Sequence, residues 1–98
     1  LNVLATPAMI ALMENAAMLA VAPHLPEGCT TVGGQISINH LRPSAAGSII
    51  TATAVLEDVN ERKLLFRVEA RQNEMVIGEG THLRYIVDKE KFMSNILR

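Results

Sequence analysis

The distribution of hydrophobic and polar positions divides the chain into one apolar helix followed by segments with strand alternation. Thr6-Pro7 is a strong helix start, because a threonine hydroxyl caps free N–H groups and proline suits the first turn. The pattern predicts a helix over Pro7–Ala22, where Pro23 stops it. Its only polar side chains are Glu14 and Asn15. A helix that is apolar on all sides is typically buried on most of them.

Four segments after the helix alternate with a period of two residues, as antiparallel strands do. The predicted strands are Thr31–Arg42, Ser48–Asp58, Lys63–Gln72 and Met75–Val87. On the first strand, one face is expected to carry Val32, Gly34, Ile36, Ile38 and His40. Asp88 is expected to cap a short terminal helix over Lys89–Leu97.

One buried helix followed by an antiparallel meander predicts an α+β hot-dog fold, in which an antiparallel sheet wraps around one central buried helix. Gly78 and Gly80 fit a strand whose backbone approaches that helix closely. We expect a single domain over residues 1–98. Because the chain starts at Leu1 without a methionine and runs almost directly into the helix, an upstream segment is expected to be missing from this sequence.

The amino-acid composition indicates which classes of protein this chain can belong to. Hydrophobic residues make up 49% of the 98 residues and charged residues 19%, an apolar excess that a small domain usually covers with a second copy of itself. The 9 basic residues balance 10 acidic ones, which excludes the basic field typical of nucleic-acid binding. Cys29 is the only cysteine, so no intrachain disulfide exists and a cytoplasmic location is expected. The apolar run Ala16–Ala22 is too short to span a membrane.

Glu14 is the first candidate for chemistry, because the residues one turn away from it on the helix are apolar. A carboxylate in that setting is partly desolvated, which makes it a stronger base. The alternative is a structural carboxylate that faces a water-filled gap or pairs with an arginine.

His40 and Thr6 are further candidates. Strand alternation directs His40 towards the helix, where an imidazole can share a hydrogen bond with a helix carboxylate. The alternative is a core histidine satisfied by a backbone carbonyl. Thr6 is explained most simply as the helix cap, although a cap hydroxyl and the free N–H groups beside it also suit an acyl oxygen. His82 and Arg84 share one face of the last strand, where structural pairing is the first interpretation and ligand contact the second.

No metal or cofactor site is predicted. The three histidines, His24, His40 and His82, lie on separate elements without zinc-type spacing. The chain also lacks a Gly-x-Ser-x-Gly elbow and a dinucleotide-binding fingerprint.

Three groups of residues, taken together, point to a known protein family more specifically than any one of them does alone. They are Val3-Leu4-Ala5-Thr6-Pro7 with Met9-Ile10-Ala11-Leu12-Met13-Glu14, then Val32-Gly33 with Ile38-Asn39-His40-Leu41-Arg42-Pro43 and Gly47, and finally Gly78-Glu79-Gly80-Thr81-His82 with Arg84. In these residues the chain resembles the fluoroacetyl-CoA thioesterase-like family of hot-dog proteins. The resemblance covers nearly the whole chain without insertions.

The resemblance implies an acyl-CoA thioesterase that releases a free acid and coenzyme A, with no cofactor beyond the coenzyme A of its substrate. The family's threonine, glutamate and histidine fall on Thr6, Glu14 and His40, and its active-site glycine and a nearby arginine on Gly33 and Arg84. Glu14 would act as nucleophile or general base, His40 would pass a proton or polarise the substrate, and Thr6 would orient Glu14 or bind the carbonyl oxygen. In that family two sheets join across a dimer interface, which implies a homodimer with Glu14 and His40 of one site on different chains.

The resemblance does not extend to selectivity for fluoroacetyl groups. In the fluoroacetyl-specific members, aromatic residues ahead of the helix form a lid over the acyl group, and this sequence begins after them. A general short or medium acyl-CoA is therefore expected, with an aromatic acyl group as the alternative. Two other functions stay open: a non-catalytic hot-dog module that binds acyl-CoA or a similar small ligand, and a hydratase or dehydratase, for which the chain lacks an Asp-x-x-x-x-His arrangement.

Overall fold

The computed structural model describes residues 1–97 of the expected domain, and Arg98 lies outside the described residues. The elements in chain order are α1 (Thr6–Val21), a 3₁₀ turn (Ala22–His24), β1 (Cys29–His40), β2 (Ile50–Asn60), β3 (Lys63–Gln72), β4 (Met75–Asp88) and α2 (Lys89–Ile96). The predicted succession of one helix, four strands and a short terminal helix is confirmed.

The four strands form one antiparallel sheet in the order β1-β4-β3-β2. Tight turns join β2 to β3 and β3 to β4, and in them Glu61 and Asn73 adopt left-handed conformations with φ of 58° and 54°. β1 and β2 are therefore the edges of the sheet. Within residues 1–97, no strand pairs with the outer side of β1.

α1 packs on one face of the sheet through a single stripe of side chains. The core consists of Met9, Met13, Ala17 and Val21 from this stripe together with Leu64, Phe66, Val68, Ala70 and Ile77. The predicted α+β arrangement around one helix is confirmed. Burial on most sides of α1 is not reached within the single chain, because Leu12 and Leu19 on other faces are 40% and 57% exposed.

Two glycines of β4 allow close packing, but against different neighbours. A Cβ on Gly78 would lie 2.5 Å from Sδ of Met9 and 3.3 Å from Cε of Met13, so the strand approaches α1 here as predicted. A Cβ on Gly80 would instead meet Ile38, whose Cδ1 would be 2.8 Å away. The prediction for Gly80 is wrong about the neighbour, which is β1 and not the helix.

A β-bulge corrects the predicted faces of β1. The pairing with β4 shifts between Gly33 and Gln35, so that Gly34 is the extra residue. One inserted residue reverses the alternation on its N-terminal side. Thr31 and Gly33 consequently face the side of α1, whereas Val32 and Gly34, which the alternation predicts there, do not.

The N-terminus of α1 corrects a second prediction. The helix begins one residue early, at Thr6, and its cap position is Ala5, which has no side-chain hydrogen bond to offer. Thr6 is therefore not the helix cap, and its hydroxyl is available to another partner. The other predicted cap is confirmed: Asp88 accepts a hydrogen bond from the backbone N–H of Lys91 at 3.0 Å, at the start of α2.

α1 and the 3₁₀ turn together, Thr6–His24, are long and apolar enough to cross a membrane by length and composition alone. The core helix of a globular protein meets the same criterion. Here the stripe that contains Met9 and Met13 packs on the sheet as a core helix does, while Leu12 and Leu19 on its other faces stay exposed.

Candidate active site

The hydroxyl of Thr6 contacts the ring of His40 where the start of α1 meets the end of β1. Thr6 Oγ1 lies 2.8 Å from His40 Nδ1, although the two residues are 34 positions apart in the sequence. The alternative for His40, a core histidine satisfied by a backbone carbonyl, is therefore wrong. The contact orients the imidazole through a single hydroxyl group.

An open cleft of about 370 Å³ lies at this end of the chain, lined by Val3, Leu4, Thr6, His40, Leu41, Arg42 and Pro43. His40 is half-buried, and its Nε2 is shielded from solvent without a hydrogen-bond partner in the described part of the chain. A ring with one nitrogen held and the other unengaged is oriented and remains able to transfer a proton.

Glu14 lies two helical turns beyond Thr6, a rise of about 12 Å, and faces the bulge of β1. A Cβ on Gly33 would be 3.2 Å from Glu14 Oε2, 3.3 Å from His82 Cε1 and 3.6 Å from Arg84 Nη1. Three polar side chains therefore converge on the space that this glycine leaves open. The surrounding depression of about 300 Å³ is also lined by residues 34–36.

Arg84 is held in this group by Thr31. Its Nε donates to Thr31 Oγ1 at 2.8 Å and its Nη2 donates to the Thr31 carbonyl at 2.9 Å. Burial lowers the pKa of Arg84 below its ordinary value, and the negative charge of Glu14 raises it in opposition. A guanidinium keeps its charge at neutral pH in such a setting, so Arg84 supplies positive potential beside Glu14.

His82 is enclosed between the bulge and Arg84. It is 1% exposed, its Nδ1 lies 2.8 Å from the carbonyl oxygen of Gln35, and its Nε2 lies 3.2 Å from Nη1 of Arg84. The first interpretation of His82 and Arg84, structural pairing for each, agrees with these contacts, in which the two side chains also meet each other. In His82, therefore, both ring nitrogens have partners.

The predicted site residues thus fall into two groups within one chain. Thr6 and His40 form the first, and Glu14, Gly33 and Arg84 form the second. No side-chain hydrogen bond joins the two groups within residues 1–97, and the Thr6 hydroxyl contacts His40 and not Glu14.

Sequence reasoning missed Thr31 and Gln35 as members of the second group. The available signal was the pair Gly33-Gly34, because glycines inside a strand often mark a bulge. As for metals, no group of three or more His, Cys, Asp or Glu side chains with suitable geometry occurs in residues 1–97.

Comparison with known proteins assigns the chain to a family. The model of a family described as "FlK: Fluoroacetyl-CoA-specific thioesterase" matches residues 1–90. The curated fluoroacetyl-CoA thioesterase of Streptantibioticus cattleyicolor is 38% identical over 95 residues, which cover 97% of this chain and 68% of that protein. The chain belongs to the fluoroacetyl-CoA-specific thioesterase family. As a member of this family it is a thioester hydrolase that acts on acyl-CoA.

Solved structures support the same assignment. A structure of the fluoroacetyl-CoA thioesterase FlK superposes with a TM-score of 0.91 at 38% identity, over 96% of this chain and 70% of that chain. A thioesterase superfamily member from Thermus thermophilus superposes with a TM-score of 0.94 at 28% identity, over 100% and 72% of the two chains. A hot-dog-like protein from Thermanaerovibrio acidaminovorans, at 21% identity, shares the fold with a TM-score of 0.91 over 98% and 71%. The predicted hot-dog fold is confirmed.

Proposed function

We propose that the chain hydrolyses short or medium acyl-CoA thioesters at two equivalent sites of a homodimer. Each site combines Glu14, Gly33 and Arg84 of one subunit with Thr6 and His40 of the other. The observation that carries this proposal is the division of these five residues into two groups, each incomplete within one chain.

The unengaged atoms of the first group support a site completed from outside the chain. His40 Nε2 is buried and has no hydrogen-bond partner in residues 1–97. A buried ring nitrogen without a partner is costly, so a carboxylate or a substrate atom is expected opposite it. The Glu14 carboxylate of a second subunit has the required chemistry.

The geometry of β1 supports a two-fold arrangement. Gly33 and His40 lie on this edge strand, and when the extra residue of the bulge, Gly34, is left out of the count, the midpoint between them falls at Ser37. If two β1 strands pair antiparallel about a two-fold axis at that midpoint, His40 of one strand lies opposite Gly33 of the other, about 5 Å away. The Thr6–His40 pair of one subunit then meets the Glu14 group of the other.

Uncovered surface supports the same interface. A 12-residue edge strand with no neighbour on its outer side within residues 1–97 is a template for pairing with another strand. The exposed side of α1, with Leu12 and Leu19, adds apolar surface that a second subunit would remove from water.

The reaction proceeds at the carbonyl carbon of the thioester. Glu14 either attacks this carbon to form a mixed anhydride, which water then hydrolyses, or removes a proton from a water molecule that attacks directly. In both routes the carbon–sulfur bond breaks, and His40 delivers a proton to the departing thiolate. Backbone near Gly33 and the charge of Arg84 stabilise the oxyanion that develops on the carbonyl oxygen.

Coenzyme A enters as part of the substrate, and the mechanism uses no other cofactor. A variant of the fluoroacetyl-CoA-specific thioesterase FlK has been solved with fluoroacetate and CoA, which supports an acyl-CoA as the partner here. The proposed location is the cytoplasm, where a lone cysteine such as Cys29 stays reduced.

Complementation between two inactive variants tests the composite site. Glu14→Gln and His40→Ala are purified separately and also together after co-expression, and thiol release from a panel of acyl-CoAs is followed. In a mixed dimer one site carries both substitutions and the other carries neither. Random mixing should therefore restore about one quarter of the wild-type activity, since half of the dimers are mixed and half of their sites are intact.

Recovery of activity only in the mixture supports sites shared between subunits. No recovery, with mixed dimers demonstrated by mass spectrometry, would contradict the shared site. Saturable acyl-CoA binding without turnover in the wild-type protein would favour a binding module in place of the enzyme.

A further inference from the structure

Beside the second group lies a buried side chain, that of His82, to which the proposed function gives no task. His82 is 1% exposed and lies on β4 between β1 and β3, and it lines the depression at Gly33 with both ring nitrogens already engaged. A buried imidazole is costly unless its polar atoms are matched, which makes its two partners informative.

The partners of His82 determine its tautomer. The carbonyl oxygen of Gln35 can only accept, so Nδ1 at 2.8 Å carries the hydrogen. The guanidinium of Arg84 can only donate, so Nε2 at 3.2 Å presents its lone pair to Nη1. The ring is therefore neutral, with its proton on Nδ1.

This ring connects the two parts of the second group that have to be aligned. Gln35 closes the bulge of β1 that turns Gly33 towards α1. Nη1 of Arg84 is the atom that faces the open position at Gly33, 3.6 Å from where a Cβ would stand. The other two donating nitrogens of the guanidinium, Nε and Nη2, are bound by Thr31.

We propose that His82 is a positioning residue for thioester hydrolysis, which acts through Arg84 by holding Nη1 against the Gly33 bulge with a neutral imidazole protonated on Nδ1. The inference rests on the proposed function, because it concerns the alignment of the Arg84 group. Both ring nitrogens of His82 are engaged, so the ring has no polar atom left to offer the thioester. Its effect is on the position of the Arg84 guanidinium when the oxyanion forms. Misplacement of a charged group at an active site by about 1 Å costs on the order of 100-fold in rate.

Two conservative variants separate the two hydrogen bonds of His82. His82→Gln can place an amide oxygen near the position of Nε2 and so keep an acceptor for Arg84, whereas His82→Asn can place an amide N–H near Nδ1 and keep the donor to Gln35. We expect His82→Gln to retain about ten times more kcat than His82→Asn, with KM changed little in either. In an Arg84→Met background, the same two substitutions should cause no further loss of kcat.

A readout independent of turnover is the tautomer itself. It is measured by nitrogen NMR of the wild-type protein labelled with ¹⁵N-histidine. The His82 signals are assigned by their disappearance in His82→Gln, and they should show a protonated Nδ1 and an unprotonated Nε2. The inference would be overturned if His82→Gln and His82→Asn had equal kcat, or if either caused a further loss in the Arg84→Met background. A His82 ring that is cationic or protonated on Nε2 would overturn it as well. None of these outcomes would affect the thioesterase function itself. Absence of thioesterase activity in the wild-type protein would contradict the proposed function and, with it, any role for His82 in that reaction.

Discussion

His40 and His82 lie on the same side of one sheet and differ in what surrounds them. His40 ends the edge strand β1, is half-buried, and has one hydroxyl partner and one unengaged nitrogen. His82 lies on an interior strand, is 1% exposed, and has both nitrogens bonded. His82 finds one partner on the neighbouring strand β1 and the other, Arg84, on its own strand, whereas the end of an edge strand leaves part of the His40 ring free. The free ring is suited to proton transfer, and the bonded ring is suited to holding other groups in place.

The same contrast extends to the two groups around these histidines. The Thr6–His40 pair lines a cleft and lacks a carboxylate. The Glu14 group has a carboxylate and a guanidinium, but it lacks an imidazole that is free to transfer a proton. Each group thus holds what the other lacks. Substitutions that act on one group at a time test whether they serve one reaction.

The largest expected effect is that of Glu14→Gln, which removes the nucleophile or general base and keeps the size of the side chain. We expect kcat for acyl-CoA hydrolysis to fall about 1,000-fold with the fold retained. The measurement is thiol release under saturating substrate, with the melting temperature recorded alongside. Glu27→Gln, in the exposed loop before β1, is the matched control and should retain full activity. Full activity in Glu14→Gln would exclude Glu14 from the chemistry.

His40→Ala should lower kcat about 100-fold, because the proton to the leaving thiolate then comes from water. Its melting temperature should change little, since the half-buried ring has one hydrogen bond to lose. His24→Ala, in the exposed 3₁₀ turn, serves as the control for loss of an imidazole. If His40→Ala destabilises the protein and leaves kcat per folded molecule unchanged, the contrast with His82 disappears.

Thr6→Val removes the hydroxyl that orients His40 while keeping the shape of the side chain. The loss of one hydrogen bond of about 1 kcal/mol predicts a decrease of about 5-fold in kcat. Thr6→Ser keeps the hydroxyl and should stay close to the wild type. The comparison of kcat among the three proteins checks this, and wild-type kcat in Thr6→Val with a loss in Thr6→Ser would show that the methyl group matters and the hydroxyl does not.

Gly33→Ala should have the smallest effect. The new Cβ would stand 3.2 Å from Glu14 Oε2 and 3.3 Å from the His82 ring, so both neighbours have to shift by a few tenths of an ångström. We expect a rise in KM of several fold, largest for the bulkier acyl groups in the panel, and a modest fall in melting temperature of a few degrees. An unchanged acyl-chain profile would place the substrate away from Gly33.

The sequence predicted most of the secondary structure because those signals are local. Alternation identified all four strands, and β3 begins and ends where the pattern indicates. Pro23 and Asp88 marked the end of one helix and the start of the other through effects that act within one turn. The resemblance to a known family, carried by motifs spread over the whole chain, supplied the function.

Prediction from the sequence was weakest where the neighbour of a residue lies on another element. Thr6 has the side chain of a good helix cap, yet Ala5 occupies that position and the Thr6 hydroxyl contacts a ring 34 residues away. The bulge at Gly34 reversed the faces of residues that a regular strand would have ordered correctly. Register and helix placement depend on which strands pair, and no local pattern reports that.

The order of side chains along each element therefore settled the helix, the strands and the identity of candidate polar groups. Tertiary structure decided which of these groups meet. Packing of α1 on the sheet brought Thr6 to His40, and the bulge turned Gly33 towards Glu14, His82 and Arg84. The reason is physical: periodicity follows from the backbone geometry of each residue, whereas these contacts follow from the free energy of packing whole elements together.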